Sequence, residues 1–195
     1  NYVSDKIHQA IFDLDLPIVA TTNIDMIYDR FLNANYGAAA IVKKYHDEEI
    51  GRYIKSDAAT RLVIKVHGSV DHLGKTVFTR QEYADARRGY SHFYRLLSAL
   101  ISTQTFVFLG YSLADPDINL LLEDYARDFK SPRPHYLLTA DKASADMIDM
   151  FERNYSIRVL KYNAKDNHNE LVESLEELAR AAMAGRNAMS TTMAW

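Results

Sequence analysis

The stretch Phe106-Val-Phe-Leu-Gly-Tyr-Ser-Leu-Ala-Asp-Pro-Asp-Ile118 decides the fold class. Its large apolar residues stop at Gly110, Ser112 follows, and Asp115-Pro116 opens a segment with apolar residues at helical spacing. This pattern predicts a buried strand, a tight turn, and a helix with Asp115 at its N-cap and Pro116 at its first position. At such a turn the backbone can approach a ligand, because the N–H groups of the helix N-terminus point outward.

The rest of the chain continues this alternation of strands and helices. We predict strands at 17–22, 41–42, 62–66, 105–111, 135–139 and 157–162. We predict helices at 4–14, 24–32, 79–88, 91–102, 116–129, 142–154 and 167–184. Because the strands are nearly all apolar, the pattern predicts an α/β fold, with a Rossmann-like, mostly parallel sheet and helices on both of its faces.

The last predicted helix sets the boundary of the domain. Its apolar face is predicted to consist of Leu171, Leu175, Leu178 and Ala182. Gly185 is expected to end the helix, so that 1–185 form one α/β domain and 186–195 a loose tail. The sequence begins at Asn1, and we expect the domain to be part of a longer chain.

Composition excludes several classes of function. The 195 residues carry a net charge of -3, which disfavours nucleic-acid binding by this segment. No apolar run is long enough to cross a bilayer, and the start of the sequence has the pattern of an amphipathic helix and not of a signal peptide. The absence of cysteine excludes disulfides, thiol nucleophiles and cysteine-based zinc sites. We therefore expect a cytoplasmic protein.

Polar clusters follow four of the predicted strands. They are Thr22-Asn23-Ile24-Asp25, His67-Gly68-Ser69, Gly110-Tyr111-Ser112 and Tyr162-Asn163. Ligands of open α/β sheets bind at the carboxyl ends of the strands, so four clusters at one edge predict a site there. Taken singly, each has a structural alternative: Asn23 and Asp25 as helix caps, His67 as a half-buried histidine, and Ser112 as a turn residue.

In this order and spacing, three of the clusters carry a resemblance to a known family. The chain resembles the sirtuin-like NAD-binding domain in three segments, Thr22–Asp25, Lys65–Ser69 and Phe108–Pro116. The segment Thr79-Arg80-Gln81-Glu82-Tyr83 also resembles the bacterial branch of the family found in anti-phage defence proteins. The resemblance as a whole covers most of residues 17–180. It implies an NAD glycohydrolase (NADase) that depletes NAD during abortive infection. It further implies a bacterial protein that self-associates into an oligomer and works with a sensor domain or partner protein.

The same resemblance implies roles for individual residues. Asn23 and Asp25 would hold the nicotinamide-ribose end of NAD, and His67 would be the general base on the ribose or on a water. These three form the expected catalytic group. The other implied NAD-binding residues are Thr22, Gly68, Gly110, Tyr111, Ser112, Tyr162 and Asn163. Gly110 and Ser112 would contact ribose and phosphate, and Tyr162 or Asn163 would lie near the adenine.

Two departures from the family narrow the expected activity. Protein-deacetylating sirtuins carry a four-cysteine zinc module, and this chain has no cysteine, so we expect no zinc and water as the acceptor. The family also begins with a strand and a glycine-rich phosphate loop. No such loop precedes Pro17, so it either lies upstream of Asn1 or is missing.

Two alternatives remain open from the sequence. Gly110-Tyr-Ser-Leu-Ala114 nearly matches the G-x-S-x-G elbow of serine hydrolases, and Asp141 and His168 follow in the right order. The last glycine of that motif is Ala114, however, and no HGGG-type motif lies upstream. The other alternative is a non-catalytic NAD- or ADP-ribose-sensing or assembly module.

Overall fold

The computed structural model describes residues 4–37, 40–54, 61–112, 114–130, 132–140 and 143–192. The strands are β1 (Ile18–Thr21), β2 (Ala40–Lys44), β3 (Arg61–Lys65), β4 (Val107–Leu109), β5 (His135–Ala140) and β6 (Ile157–Tyr162). The α-helices are α1 (Lys6–Asp13), α2 (Ile27–Tyr36), α3 (Ile50–Ile54), α4 (Arg80–Gly89), α5 (Ser91–Thr103), α6 (Pro116–Asp128), α7 (Ala145–Tyr155) and α8 (Lys165–Thr192). A 3₁₀ helix spans Val70–Lys75. Within these ranges, no helix is both long and apolar enough to cross a lipid bilayer.

The first of two compact units contains the chain up to Phe93 and again from Val172. Its strands are all parallel and lie in the order β1-β3-β2. The central strand, β3, is flanked on both sides, which explains its run of Leu62, Val63 and Ile64, each no more than 2% exposed. Helix α2 covers this sheet with Phe31 and Leu32, which pack in one cluster with Val63.

The second unit, Tyr94–Leu171, contains a β4-α6-β5-α7-β6 succession. Its strands are again parallel, in the order β4-β5-β6. Parallel neighbours need a crossover connection, and α6 and α7 supply it. Helix α7 packs against both α6 and β6, and the fully buried Leu122 and Ile157 lie on α6 and β6. The predicted parallel α/β class is therefore confirmed, although the described strands form two three-stranded sheets where the sequence predicts one.

Apart from Leu113, which lies outside the described residues, the stretch from which the fold was predicted folds as expected. Strand β4 ends at Leu109, and Gly110 follows with a positive φ of 59°. The Asp115 carboxylate accepts hydrogen bonds from the N–H groups of Asp117 (2.9 Å) and Ile118 (3.0 Å), and Pro116 opens the helix. The local signals of cap and proline fix this helix start without help from distant residues.

Helix α8 corrects the prediction for the end of the chain. The helix continues through Gly185 to Thr192, so the loose tail predicted from residue 186 is wrong for the described part of that segment. A glycine inside a helix costs only about 1 kcal/mol and does not end it by itself. Beyond it, the Arg186 guanidinium lies 3.5 Å from the Asp15 carboxylate and 3.5 Å from the main-chain oxygen of Leu14, which ties the extension to the first unit.

The buried face of α8 is also shifted from the predicted one. Leu171 and Leu175 are buried as expected, but Leu178 is 48% exposed. Its place is taken by Ala179, one residue further along, together with Val172. The stripe therefore follows the i, i+4, i+8 spacing from Leu171 and not the i, i+7 one.

His135, at the start of β5, makes the stability of the second unit sensitive to acid. It is 1% exposed, its Nδ1 accepts a hydrogen bond from the Phe106 N–H at 3.1 Å, and burial lowers its pKa from 6.5 to about 4. The unfolded chain, with the ordinary pKa, then binds more protons than the folded one between these values. We expect the free energy of unfolding to be unaffected by protonation of His135 above pH 6.5. It should fall by up to about 3 kcal/mol as the pH drops towards 4.

The matched variant is His135→Asn, whose Oδ1 takes the place of the Nδ1 acceptor for the Phe106 N–H and which does not titrate. Urea unfolding at pH 7 and pH 4.5 compares the two proteins. Burial lowers the pKa of His46 in the same direction, so only the difference between wild type and variant reports on His135. An equal loss of stability in both proteins would contradict the assignment.

Candidate functional site

The Asn23 loop, which we define as Thr22–Met26, connects β1 to α2. The Asn23 N–H donates to Thr21 Oγ1 at 3.1 Å, and Asn23 is exposed. Asp25 Oδ1 accepts from the Ile27 N–H at 2.9 Å. Helix α2 therefore starts at Ile27 and not at Ile24 as predicted, because the Asp25 carboxylate satisfies a donor of the first turn from outside the helix.

His67 lies in the turn that follows β3, and it is 6% exposed. Its ring meets the ring of Tyr83 edge to face, with 5.2 Å between centroids and 88° between planes. Its main-chain oxygen accepts from the Val77 N–H at 3.1 Å. The imidazole is thus oriented by α4, the helix whose sequence resembles the defence branch of the family.

The start of α4 is fixed by a capping box, as its sequence predicts. The Thr79 hydroxyl accepts from the Glu82 N–H at 3.3 Å, and the Glu82 carboxylate accepts from the Thr79 and Phe78 N–H groups at 2.8 and 2.9 Å. These backbone bonds hold the pKa of Glu82 below its usual value. The cap therefore fixes the first turn of the helix that carries Tyr83.

The structure brings the Asn23 loop and the His67 turn to one sheet edge. Strands β1 and β3 are neighbours, with Thr21 opposite Lys65. The Val66 N–H donates to the Thr21 oxygen at 2.9 Å, and the Val70 N–H donates to the Ile24 oxygen at 2.9 Å. The predicted meeting of these two clusters is therefore observed, while the roles of their residues towards NAD stay predictions.

Gly68 has a backbone that only glycine tolerates. Its φ is +80°, and a Cβ placed on it would lie 2.4 Å from the main-chain oxygen of Lys75. This close approach seats the 3₁₀ helix directly behind the His67 turn. The sequence singled out Gly68 as a ligand contact, and the structure shows a packing reason for the same residue.

A pocket of about 70 Å³ opens beside the Asn23 loop. It is lined by His8, Thr21, Asn23, Asp25, Ile27, Tyr28, Asp29 and Lys65. Burial raises the pKa of Tyr28 to about 12, and its protonated phenol is a hydrogen-bond donor. The pocket thus combines carboxylates, an amide, hydroxyls and one lysine, a set that suits a polar ligand.

Sequence reasoning missed Lys65 and Asp29 in this pocket. Their ion pair joins Lys65 Nζ to Asp29 Oδ2 at 3.2 Å. The available signal was the lysine itself, the one charged residue in the otherwise apolar run Leu62-Val-Ile-Lys-Val66. A charge at a buried strand position indicates a partner, but the sequence does not say which one.

In the second unit, Gly110 and Tyr162 lie at the carboxyl ends of β4 and β6, on the two sides of β5. The Tyr111 ring stacks on Phe108 at 5.5 Å, and Ser112 is exposed. These residues share one edge of the sheet β4-β5-β6, while the meeting of all four polar clusters at a single edge stays a prediction. Their expected contacts with the ribose, phosphate and adenine of NAD stay predictions.

Tyr162 and Asn163 also have local roles at the start of α8. The Tyr162 hydroxyl and His168 Nδ1 lie 2.9 Å apart. Asn163 Oδ1 accepts from the Lys165 N–H at 3.0 Å, and the Asn163 N–H donates to Glu170 Oε2 at 2.8 Å. Both residues thus organise the turn from β6 into α8.

The serine hydrolase alternative gains no support from the second unit. Of the residues it requires, Asp141 lies outside the described residues, as does Leu113 of the Gly110–Ala114 motif. His168 Nδ1 is engaged with the Tyr162 hydroxyl.

Among the described ranges, no group of three or more His, Cys, Asp or Glu residues is placed to hold a metal ion.

Comparison with known proteins gives the family. The model of the SIR2-like domain matches residues 17–160, well over half of the chain. The chain belongs to the SIR2-like domain family. The match includes the Asn23 loop, the His67 turn and the Gly110–Ser112 turn, so the sirtuin-like resemblance drawn from these motifs is confirmed.

Several curated relatives are similar to this chain over part of their own length. The NAD(+) hydrolase ThsA of Bacillus cereus strain MSX-D12 is 27% identical over 190 residues, 88% of this chain and 38% of that protein. ThsA of Enterococcus faecium is 26% identical over 144 residues, 73% of this chain and 29% of that protein. Defense-associated sirtuin 2 of Bacillus subtilis is 23% identical over 173 residues, 86% of this chain and 16% of that protein. The chain therefore spans well under half the length of these relatives.

Proposed function

We propose that this SIR2-like domain is an NADase, which hydrolyses the nicotinamide–ribose bond of NAD to nicotinamide and ADP-ribose. The observation that carries the proposal is the buried His67, fixed by Tyr83 and adjoining the Asn23 loop at one edge of the sheet. The names of the ThsA relatives, NAD(+) hydrolase, support the same activity.

The chemistry asks little of the protein beyond position and one base. The bond from ribose C1′ to the pyridinium nitrogen breaks, its electron pair neutralises the ring, and neutral nicotinamide leaves without a general acid. The ribose passes through an oxocarbenium-like state, as in glycoside hydrolysis. A water oxygen then bonds to C1′, and its proton passes to the His67 imidazole, which acts as the general base.

Asn23 and Asp25 would order the reactants. An amide both donates and accepts, so Asn23 can hold a water and a ribose hydroxyl together. The Asp25 carboxylate already accepts the Ile27 N–H, which fixes the loop that presents Asn23. Ordering of this kind removes entropy from the barrier before the bond breaks.

We infer a role in bacterial anti-phage defence, in which activation depletes NAD and ends the infection of the cell. The name of the Bacillus subtilis relative, Defense-associated sirtuin 2, supports this role. In this proposal the enzyme is cytoplasmic and self-associating. Its trigger is read by a sensor domain or partner protein, with this domain as the effector.

The activity is tested on the full-length protein incubated with NAD, with nicotinamide and ADP-ribose quantified by chromatography. We expect the two products in equal amounts. Binding of ADP-ribose, measured by calorimetry, without any nicotinamide release would favour the sensing or assembly module instead. Labelling of Ser112 by a fluorophosphonate probe would favour the serine hydrolase.

A further inference from the structure

Lys65 is the last residue of β3, and only 1% of it is exposed. It is two residues before His67, at the end of a strand whose other central residues are apolar. Burying an ammonium group is costly unless hydrogen-bond partners replace its water. The position therefore requires specific partners, and those partners show what the residue does.

Both partners of Lys65 belong to the segment that leads from β1 into α2. The ammonium donates to the main-chain oxygen of Asp25, inside the Asn23 loop. It also lies 3.2 Å from Asp29 Oδ2, in the first turn of α2. Lys65 thus joins the end of β3 to the loop and to the helix that follows it.

Asp29 depends on this lysine. Its side chain is 11% exposed, and its Oδ1 is buried with no hydrogen-bond partner in the part of the chain that the structure describes. The carboxylate is therefore compensated chiefly by Lys65. In return it holds the ammonium at the distance from which the Asp25 oxygen is reached.

We propose that Lys65, held by Asp29, is a positioning residue that fixes the Asn23 loop against β3. This sets Asn23 relative to His67, and it deepens the NAD hydrolysis proposed above, on which its effect on turnover rests. Because the loop is bound through its main chain, the effect reaches Asn23 without any contact between Lys65 and substrate. Displacing a reactant-ordering group by about 1 Å can cost on the order of 100-fold in rate.

The test uses the double variant Lys65→Met/Asp29→Asn in the full-length protein. Methionine keeps the length of the side chain, and asparagine removes the carboxylate that Lys65→Met alone would leave buried and unpaired. We expect a melting temperature close to that of wild type, a kcat for NAD cleavage about 10- to 100-fold lower, and a KM changed by less than about threefold. A kcat equal to that of wild type would overturn the proposal.

The chain offers a matched control on the neighbouring strand. Lys44 of β2 is the register partner of Lys65, and its Nζ lies 2.6 Å from Asp71 Oδ2. The variant Lys44→Met/Asp71→Asn removes an ion pair at the same level of the sheet but not the bond to the Asn23 loop. We expect its kcat to stay within about twofold of wild type. An equal loss of kcat in both double variants would show a general effect of lost ion pairs and would refute positioning.

A second measurement decides the inference even where no NAD is cleaved. Hydrogen exchange of the amides from Asn23 to Ile27 is expected to be at least about tenfold faster in Lys65→Met/Asp29→Asn, with β3 unchanged, and unaltered in the Lys44 control. Unchanged exchange in the loop would overturn the proposal. If the wild-type protein releases no nicotinamide but loop exchange is still faster in Lys65→Met/Asp29→Asn, the anchoring of the loop is upheld and only the proposed function is refuted.

Discussion

His67→Ala in the full-length protein is expected to lower kcat/KM for NAD cleavage by about 10²- to 10⁴-fold, the usual contribution of a general base. Removing the imidazole removes the acceptor for the proton of the attacking water. The bond to nicotinamide can still break, because its leaving group is cationic, so we expect residual and not zero activity. Nicotinamide release measured by chromatography gives the rate.

Loss of packing must be separated from loss of the base. In the wild type the imidazole packs edge to face against the Tyr83 ring, with 5.2 Å between the ring centroids, and alanine would leave a gap there. His67→Asn fills more of that gap and also lacks the base, so both variants should lose activity whatever their melting temperatures. His72→Ala, at a side chain 57% exposed in the same unit, is expected to retain wild-type rates. Nicotinamide release by both His67 variants at the wild-type rate would remove the mechanism.

Gly68→Ala is expected to destabilise the folded protein by roughly 2 to 4 kcal/mol. The alanine would have to adopt a φ of +80°, and its Cβ would lie 2.4 Å from the main-chain oxygen of Lys75. Backbone cannot move aside as the end of a side chain can, so the His67 turn or the 3₁₀ helix has to shift. We therefore expect NAD cleavage to fall together with stability, and urea unfolding gives the free energy.

Two other glycines separate the causes. Gly74→Ala meets nothing within 4 Å at an ordinary φ and is expected to change the free energy of unfolding by less than about 0.5 kcal/mol. Gly110→Ala has a φ of +59° but an open environment, so it should show the dihedral cost alone, about 1 kcal/mol. Equal effects at Gly68 and Gly110 would show that the contact with Lys75 costs nothing.

Local signals in the sequence were enough to place most elements. The Asp115-Pro116 start of α6 and the Thr79–Glu82 capping box of α4 were both predicted, because each satisfies its donors within four residues. The edge on which candidate residues gather was predictable as well. Parallel strands align their carboxyl ends, so residues that follow β1 and β3 must meet there.

Errors arose where a distant group decided the outcome. The loop before helix α2 is held by Lys65, forty residues further along the chain, while the Asp25 carboxylate next to the helix accepts the Ile27 N–H. The extension of α8 past Gly185 includes contacts of Arg186 with Leu14 and Asp15. Helical spacing in the sequence does not reveal these distant contacts of Lys65 and Arg186.

The sequence by itself determined the parallel α/β class, the family motifs and the residues that follow each strand, because these depend on apolar runs and caps that act over a few residues. Only the tertiary structure decided how the candidate site is held together. The pairing of β1 with β3 brings the Asn23 loop beside His67. Because Lys65 is buried at the end of β3, its ammonium group binds a main-chain oxygen of that loop. A buried charge is stabilised by whichever groups the fold places within reach, and that information is not local.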